Sequence, residues 1–167
     1  MFRRTRYLWA FLLAAAAAVL LRGLAVTLSS PAAAVLSPVN ESPWELGKLV
    51  FWPYLCAALL LWRLEPMGET PRGAHCAAAC CAAGLMTGLC VLSGGAIPVC
   101  GLFCAAIAGG MGLYHAVLRR RTWGGAALWY PLAILLAVAY LLLTAHPLLW
   151  GIFLDPHDAA AMAPIPF

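Results

Sequence analysis

Charge is what this chain has least of. Only 10% of its residues are charged, six of them acidic. Soluble domains carry charge on about a quarter of their residues. The deficit is filled by hydrocarbon: 65% of the chain is hydrophobic, and the mean hydropathy is +0.92. A soluble fold of this length cannot bury so much apolar surface, so the excess is expected to face lipid. The apolar runs lack the period-two alternation of a barrel strand, which excludes a β-barrel and leaves a helical membrane protein.

Other absences narrow the chemistry. No G-x-S-x-G, H-E-x-x-H or phosphate-cradling glycine loop occurs. The seven cysteines, Cys56, Cys76, Cys80, Cys81, Cys90, Cys100 and Cys104, contain no C-x-x-C. They sit among alanines, where cysteine acts as a small hydrophobe rather than as part of a disulfide framework. No internal repeat of the kind that builds many transporters is visible. The net charge of +4 is no nucleic-acid footprint, because no soluble basic face gathers it. Arg3, Arg4 and Arg6, then Arg63 and Arg72, then Arg119, Arg120 and Arg121 are small groups between apolar runs, as in cytoplasmic loop anchors.

The runs that remain predict an all-α, single-domain membrane bundle of five transmembrane helices, at about 7–28, 45–64, 76–93, 97–118 and 126–145. The tail 146–167 is interrupted by proline and apolar, suited to the membrane surface or to tucking back on the bundle. All basic clusters fall on one side if the N-terminus is cytoplasmic and the C-terminus extracytoplasmic. A basic head before an apolar run also fits a secretory signal. The run resumes after Arg22, which favours an uncleaved anchor. The G-x-x-x-G of Gly84 and Gly88 would let another helix approach, and the fourth span is also rich in small residues (Ala105, Ala106, Ala108, Gly109, Gly110 and Gly112), so the third and fourth spans are expected to pack as a close antiparallel hairpin.

The densest polar stretch is Ser37-Pro38-Val39-Asn40-Glu41-Ser42-Pro43-Trp44-Glu45-Leu46-Gly47-Lys48. Ser42 suits the N-cap of the second span, Pro43 its first position, and Glu45 the third, an S-x-x-E capping box. Trp44 and Trp52 belong to an interfacial aromatic belt. Pro53 frees the Leu49 carbonyl and predicts a kink. Capping does not account for Asn40, Glu41 and Lys48. On one reading Asn40 and Glu41 shape the turn and Lys48 snorkels or pairs. On the other, Arg22, Asn40, Glu41, Trp44, Glu45, Lys48 and Asp155 converge as a binding site at the outer mouth, since charges near the bilayer are costly. Arg22 itself either snorkels to headgroups or pairs with an acidic residue of the outer loop.

The segment from Pro38 to Pro53 resembles a block, P-V-N-E-S-x-W-E-H-x-K-L-x-F-x-P, of a family of bacterial multi-pass membrane proteins of unknown function. Each fixed position recurs except the histidine, which is Leu46 here. Phe153-Leu154-Asp155-Pro156 is similar to a weaker block near that family's C-terminus. The stretch Val26-Thr27-Leu28-Ser29-Ser30 departs from the polar, aromatic-rich stretch usual there. The resemblance implies a cell-membrane location and supplies no activity. Chemistry that needs the histidine is not expected of this chain.

Other clusters have plain readings. His75, Cys76 and Cys80 have a spacing that soft metals accept, repeated by Cys100 and Cys104, but packing is the simpler role. Tyr114 and His115 read as interfacial residues, and His146 and His157 have no evident partner. No metal or cofactor is implied. The ranked expectations are three. The first is a non-enzymatic protein whose outer loop binds a polar ligand, a lipid headgroup or a protein. The second is a transporter or channel subunit acting as a homo-oligomer. The third is an intramembrane enzyme using Glu41 or Glu45. The lipid bilayer is the partner common to all three.

Overall fold

A computed structural model describes residues 2–27, 35–64, 73–114, 128–146, 148 and 151–154. Among them stand five helices and no strand: α1 (Phe2–Thr27), α2 (Pro43–Leu64), α3 (Gly73–Ser93), α4 (Val99–Leu113) and α5 (Trp129–Ala145). A 3-10 turn, Gly151–Phe153, follows. Each helix coincides with one of the apolar runs. Residues 65–72, 115–127 and 155–167 are outside the described set, and with them Arg72, His115, Arg119–Arg121, Asp155 and His157.

The α3 helix is the central post, with α2, α4 and α5 packed on it; α1 packs on α2. Alanine makes this possible. Ala74, Ala77, Ala78, Ala79, Ala82 and Ala83 are all buried, so neighbouring backbones approach α3 closely. Larger side chains from the surrounding helices, among them Val50, Phe51, Phe103, Ile107 and Tyr140, complete the core with Met86.

The expected G-x-x-x-G contact is overturned. A Cβ on Gly84 or Gly88 would meet nothing within 4 Å. The close approach of α3 and α4 runs through Gly110 instead, where a Cβ would lie 2.7 Å from Ala82 Cβ and 3.3 Å from the Ala78 carbonyl. The alanine face of α3 has the smaller steps and lies toward the core, so it takes the contact. The α3–α4 turn is built on two glycines. Gly94 and Gly95 hold φ of +53° and +85°, values that glycine adopts without strain. Pro98 stands at the N-cap of α4, and its carbonyl accepts from Gly101 N at 2.9 Å.

A single described helix, α3, is long and apolar enough to cross a membrane on its own terms. Phe11–Gly23, α4 and α5 are apolar but shorter, against about 20 residues for a full crossing. The α2 helix has 22 residues but includes Glu45, Lys48 and Arg63. The five-span reading is therefore coarser in the structure: five apolar helices in one bundle. The outward faces are apolar, with Leu92 85%, Val19 73% and Leu128 72% exposed.

Candidate functional site

The polar stretch folds as a clasp at the end of the bundle where α1 finishes and α2 begins. Ser42 caps α2: its Oγ accepts from Glu45 N at 3.3 Å and its carbonyl from Leu46 N at 3.0 Å. This is half of the expected capping box. The reciprocal half is replaced. Asn40 Oδ1 accepts from Ser42 N at 3.2 Å, a side-chain turn that satisfies the cap's own N–H. The Glu45 carboxylate is thereby released for longer-range work.

Glu45 ties three segments. Its Oε2 accepts from Val39 N at 3.0 Å and from Lys48 Nζ at 2.6 Å, and its Oε1 lies 3.3 Å from Thr144 Oγ1 on α5. Lys48 Nζ also donates to Thr144 Oγ1. The Thr144 proton is shared between Glu45 and the Tyr140 carbonyl, 2.6 Å away. Lys48, the chain's one lysine, does not snorkel: its side chain is 0% exposed and that of Glu45 is 7%. Removing such charges from water costs several kcal/mol per ion, so only close pairing with further hydrogen bonds sustains them.

Arg22 and Glu41 form a second, separate pair. The guanidinium Nη2 donates to Glu41 Oε1 at 2.8 Å, with the side chains 47% and 46% exposed. Of the two expectations for Arg22, the acidic partner in the loop is the one observed. The pair ties the end of α1 to the loop. At this exposure it contributes at most about 1 kcal/mol.

Aromatic packing secures the other side. Trp44 lies 4.7 Å from Tyr140 and 5.3 Å from Phe153, centroid to centroid. The tail thus tucks back on α2, the second of its two expected placements, for the described part of it. Phe51 lies 5.5 Å from Tyr140. A glycine is needed beside them. A Cβ on Gly47 would strike the Tyr140 hydroxyl and lie 3.0 Å from Thr87 Oγ1. Ser37 Oγ and the indole nitrogens of Trp44 and Trp52 are buried and have no hydrogen-bond partner among the described residues.

The structure therefore divides the expected site. Glu45 and Lys48 are internal, Asn40 is half-buried, Arg22 and Glu41 are half-exposed, Trp44 is half-buried between α5 and the tail, and Asp155 lies outside the described residues. Thr144 and Tyr140 went unselected in the sequence. Thr144 was findable: it is the one hydroxyl in the last apolar turn of α5, level with the loop under the expected topology. His75 stacks on Tyr114 at 4.6 Å, with Tyr114 Oη 3.4 Å from its Nε2. Among the described residues no three histidine, cysteine or acidic side chains gather as a metal site. No protein-family model, curated protein or solved structure matches the chain.

Proposed function

We propose that this is a multi-pass protein of the cell membrane, five spans with the N-terminus cytoplasmic and the C-terminus outside. In this reading it belongs to the bacterial family whose polar block it shares. Its outer loop acts as a non-catalytic binding element. Large aliphatic side chains exposed around the bundle, Val19, Leu59, Leu92, Ile134 and Leu142 among them, support the membrane reading, since contiguous apolar surface of this extent does not face water.

One observation carries the binding reading: the loop separates its charges into a buried set and a presented set. Glu45 already accepts from Val39, Lys48 and Thr144 and is buried, which suits a fastener and not a general base that must reach a substrate proton. Arg22 and Glu41 stay at the surface with exposed Leu36 and Val39 nearby in the chain. The fastened set holds the presented set in place, as binding surfaces require. Transport is less well supported. The polar side chains of Glu45, Lys48, Thr87 and Thr144 lie within about two turns of one end of their helices, and transporter sites lie near the midplane.

Two measurements test this. A C-terminal reporter fusion is expected to be active outside the cytoplasm; cytoplasmic activity overturns the topology. Alanine substitutions at Asn40, Trp44, Glu45 and Lys48 are expected to lower folded yield together. Arg22→Ala and Glu41→Ala are expected to keep yield and change the cellular phenotype. Equal loss of yield at all six positions reduces the loop to a structural cap.

A further inference from the structure

A groove of about 450 Å³ runs along the outside of the bundle between α1, α2 and α4. Among the described residues its walls are apolar, with Phe11, Ala15, Leu49 and Phe103 among them, and the one charged side chain lining it is Arg22. The volume lies in the range of small-molecule sites, about 300–1,000 Å³.

Three features identify the occupant. The first is length. Phe11 and Arg22 both line the groove, and eleven residues of helix rise about 16 Å. That is about half of a hydrocarbon core of roughly 30 Å, the depth of one leaflet. The second is position. The groove shares its charged end with the clasp, because Arg22 belongs to both. Under the proposed topology this is the outer leaflet. The third is charge complementarity. Arg22 on the groove wall is held 2.8 Å from the carboxylate of Glu41, which stands beside the groove rather than in its lining, and both side chains are half-exposed. Arg22 has five N–H donors and spends one on Glu41, which leaves others for a phosphate. The Glu41 carboxylate beside it suits an ammonium. A purely anionic headgroup would meet Glu41 at close range, at a cost.

We propose that the groove holds one acyl chain of an outer-leaflet phospholipid whose ammonium–phosphate headgroup sets its phosphate on Arg22 and its ammonium toward Glu41. This rests on the membrane reading and names the ligand class for the presented pair. A helix from a second copy, the other apolar occupant, would not account for a groove of one-leaflet depth with an ion-paired arginine on its wall.

The test uses full-length protein purified in detergent and stripped of lipid. Palmitoyl-oleoyl phosphatidylethanolamine or the matching phosphatidylglycerol is titrated in and bound lipid counted by native mass spectrometry. Phosphatidylethanolamine is expected to bind one to one, about tenfold tighter than phosphatidylglycerol. Glu41→Gln is expected to erase that preference, and Arg22→Gln to weaken both lipids. Val19 and Cys100 line the groove and are exposed, so Val19→Trp and Cys100→Trp fill it without entering the core; each is expected to lose binding while keeping its helical circular dichroism. A second readout needs no variant. Cys100 and Cys104 line the groove, and Cys56, also exposed, does not. Phosphatidylethanolamine is expected to slow maleimide alkylation of the first two and leave Cys56 unchanged.

Equal binding of the two lipids by the wild type overturns the proposal. So does unchanged binding in folded Val19→Trp and Cys100→Trp, equal protection of Cys56, or a lipid-free dimer. Failure of the membrane reading would look different: the protein would be recovered without detergent, or its C-terminal reporter would be active in the cytoplasm.

Discussion

Lys48 of α2 donates to Thr144 of α5, a contact between residues 96 apart in the chain. It closes the bundle at the clasp end. Thr144 can receive the ammonium because its own proton is turned to the Tyr140 carbonyl and Glu45. Glu45 receives Lys48 from the other side at 2.6 Å. The buried pair therefore joins a helix start, a loop and a distant helix end, the loop through Val39 N on Glu45.

Removing the cation of that pair is expected to be costly, because Glu45 would be left buried without its partner. Breaking a buried pair by deleting one member costs about 3–5 kcal/mol. Lys48→Met should lower the midpoint of thermal unfolding in detergent sharply. Lys48→Met with Glu45→Gln, which removes both charges, should recover much of the loss. A double variant no more stable than Lys48→Met alone would mean that the pair is not what holds the clasp.

Gly47 gives a second test, independent of charge. The Cβ of Gly47→Ala would strike the Tyr140 hydroxyl, and overpacking of this kind costs about 1–3 kcal/mol. Tyr140→Phe removes the oxygen that is struck, so the pair should be non-additive, with the double variant more stable than the sum predicts. The midpoint of unfolding for all four species in the cycle measures this. Additive losses would show that α2 and α5 are further apart at this level than described.

The helices were legible because their apolar runs are long and their boundaries chemically marked. Ser42 and Pro43 begin α2, Gly94 and Gly95 separate α3 from α4, and each does so by local backbone chemistry. The Arg22–Glu41 pair was legible as one of two options, since a charge in an apolar helix needs either a partner or the interface. The division of the site was not legible. Spacing places Glu45 and Lys48 on one face of α2, but burial depends on α5 covering that face. Thr144 enters only through the tertiary packing of Tyr140 over Gly47. The capping box misled in its second half, because Asn40 competes for the same Ser42 N–H.

Small residues do bring α3 and α4 together, but through Gly110 and not through the G-x-x-x-G pair, and this can be tested directly. A G-x-x-x-G motif states that two backbones can meet, not that they do. In this bundle Gly84 and Gly88 lie in open space, whereas Gly110 faces Ala82 and Ala78 with Tyr54 Cε2 3.1 Å from where its Cβ would be. Gly110→Ala must push α4 away from an alanine face that has no rotamer to yield, and is expected to destabilise the fold by about 1–3 kcal/mol. Gly84→Ala and Gly88→Ala meet nothing and replace a residue that weakens a helix by roughly 1 kcal/mol relative to alanine. They are expected to leave the unfolding midpoint unchanged or raise it. Loss of stability at Gly84 or Gly88, with none at Gly110, would reverse the assignment of the α3 face that meets α4.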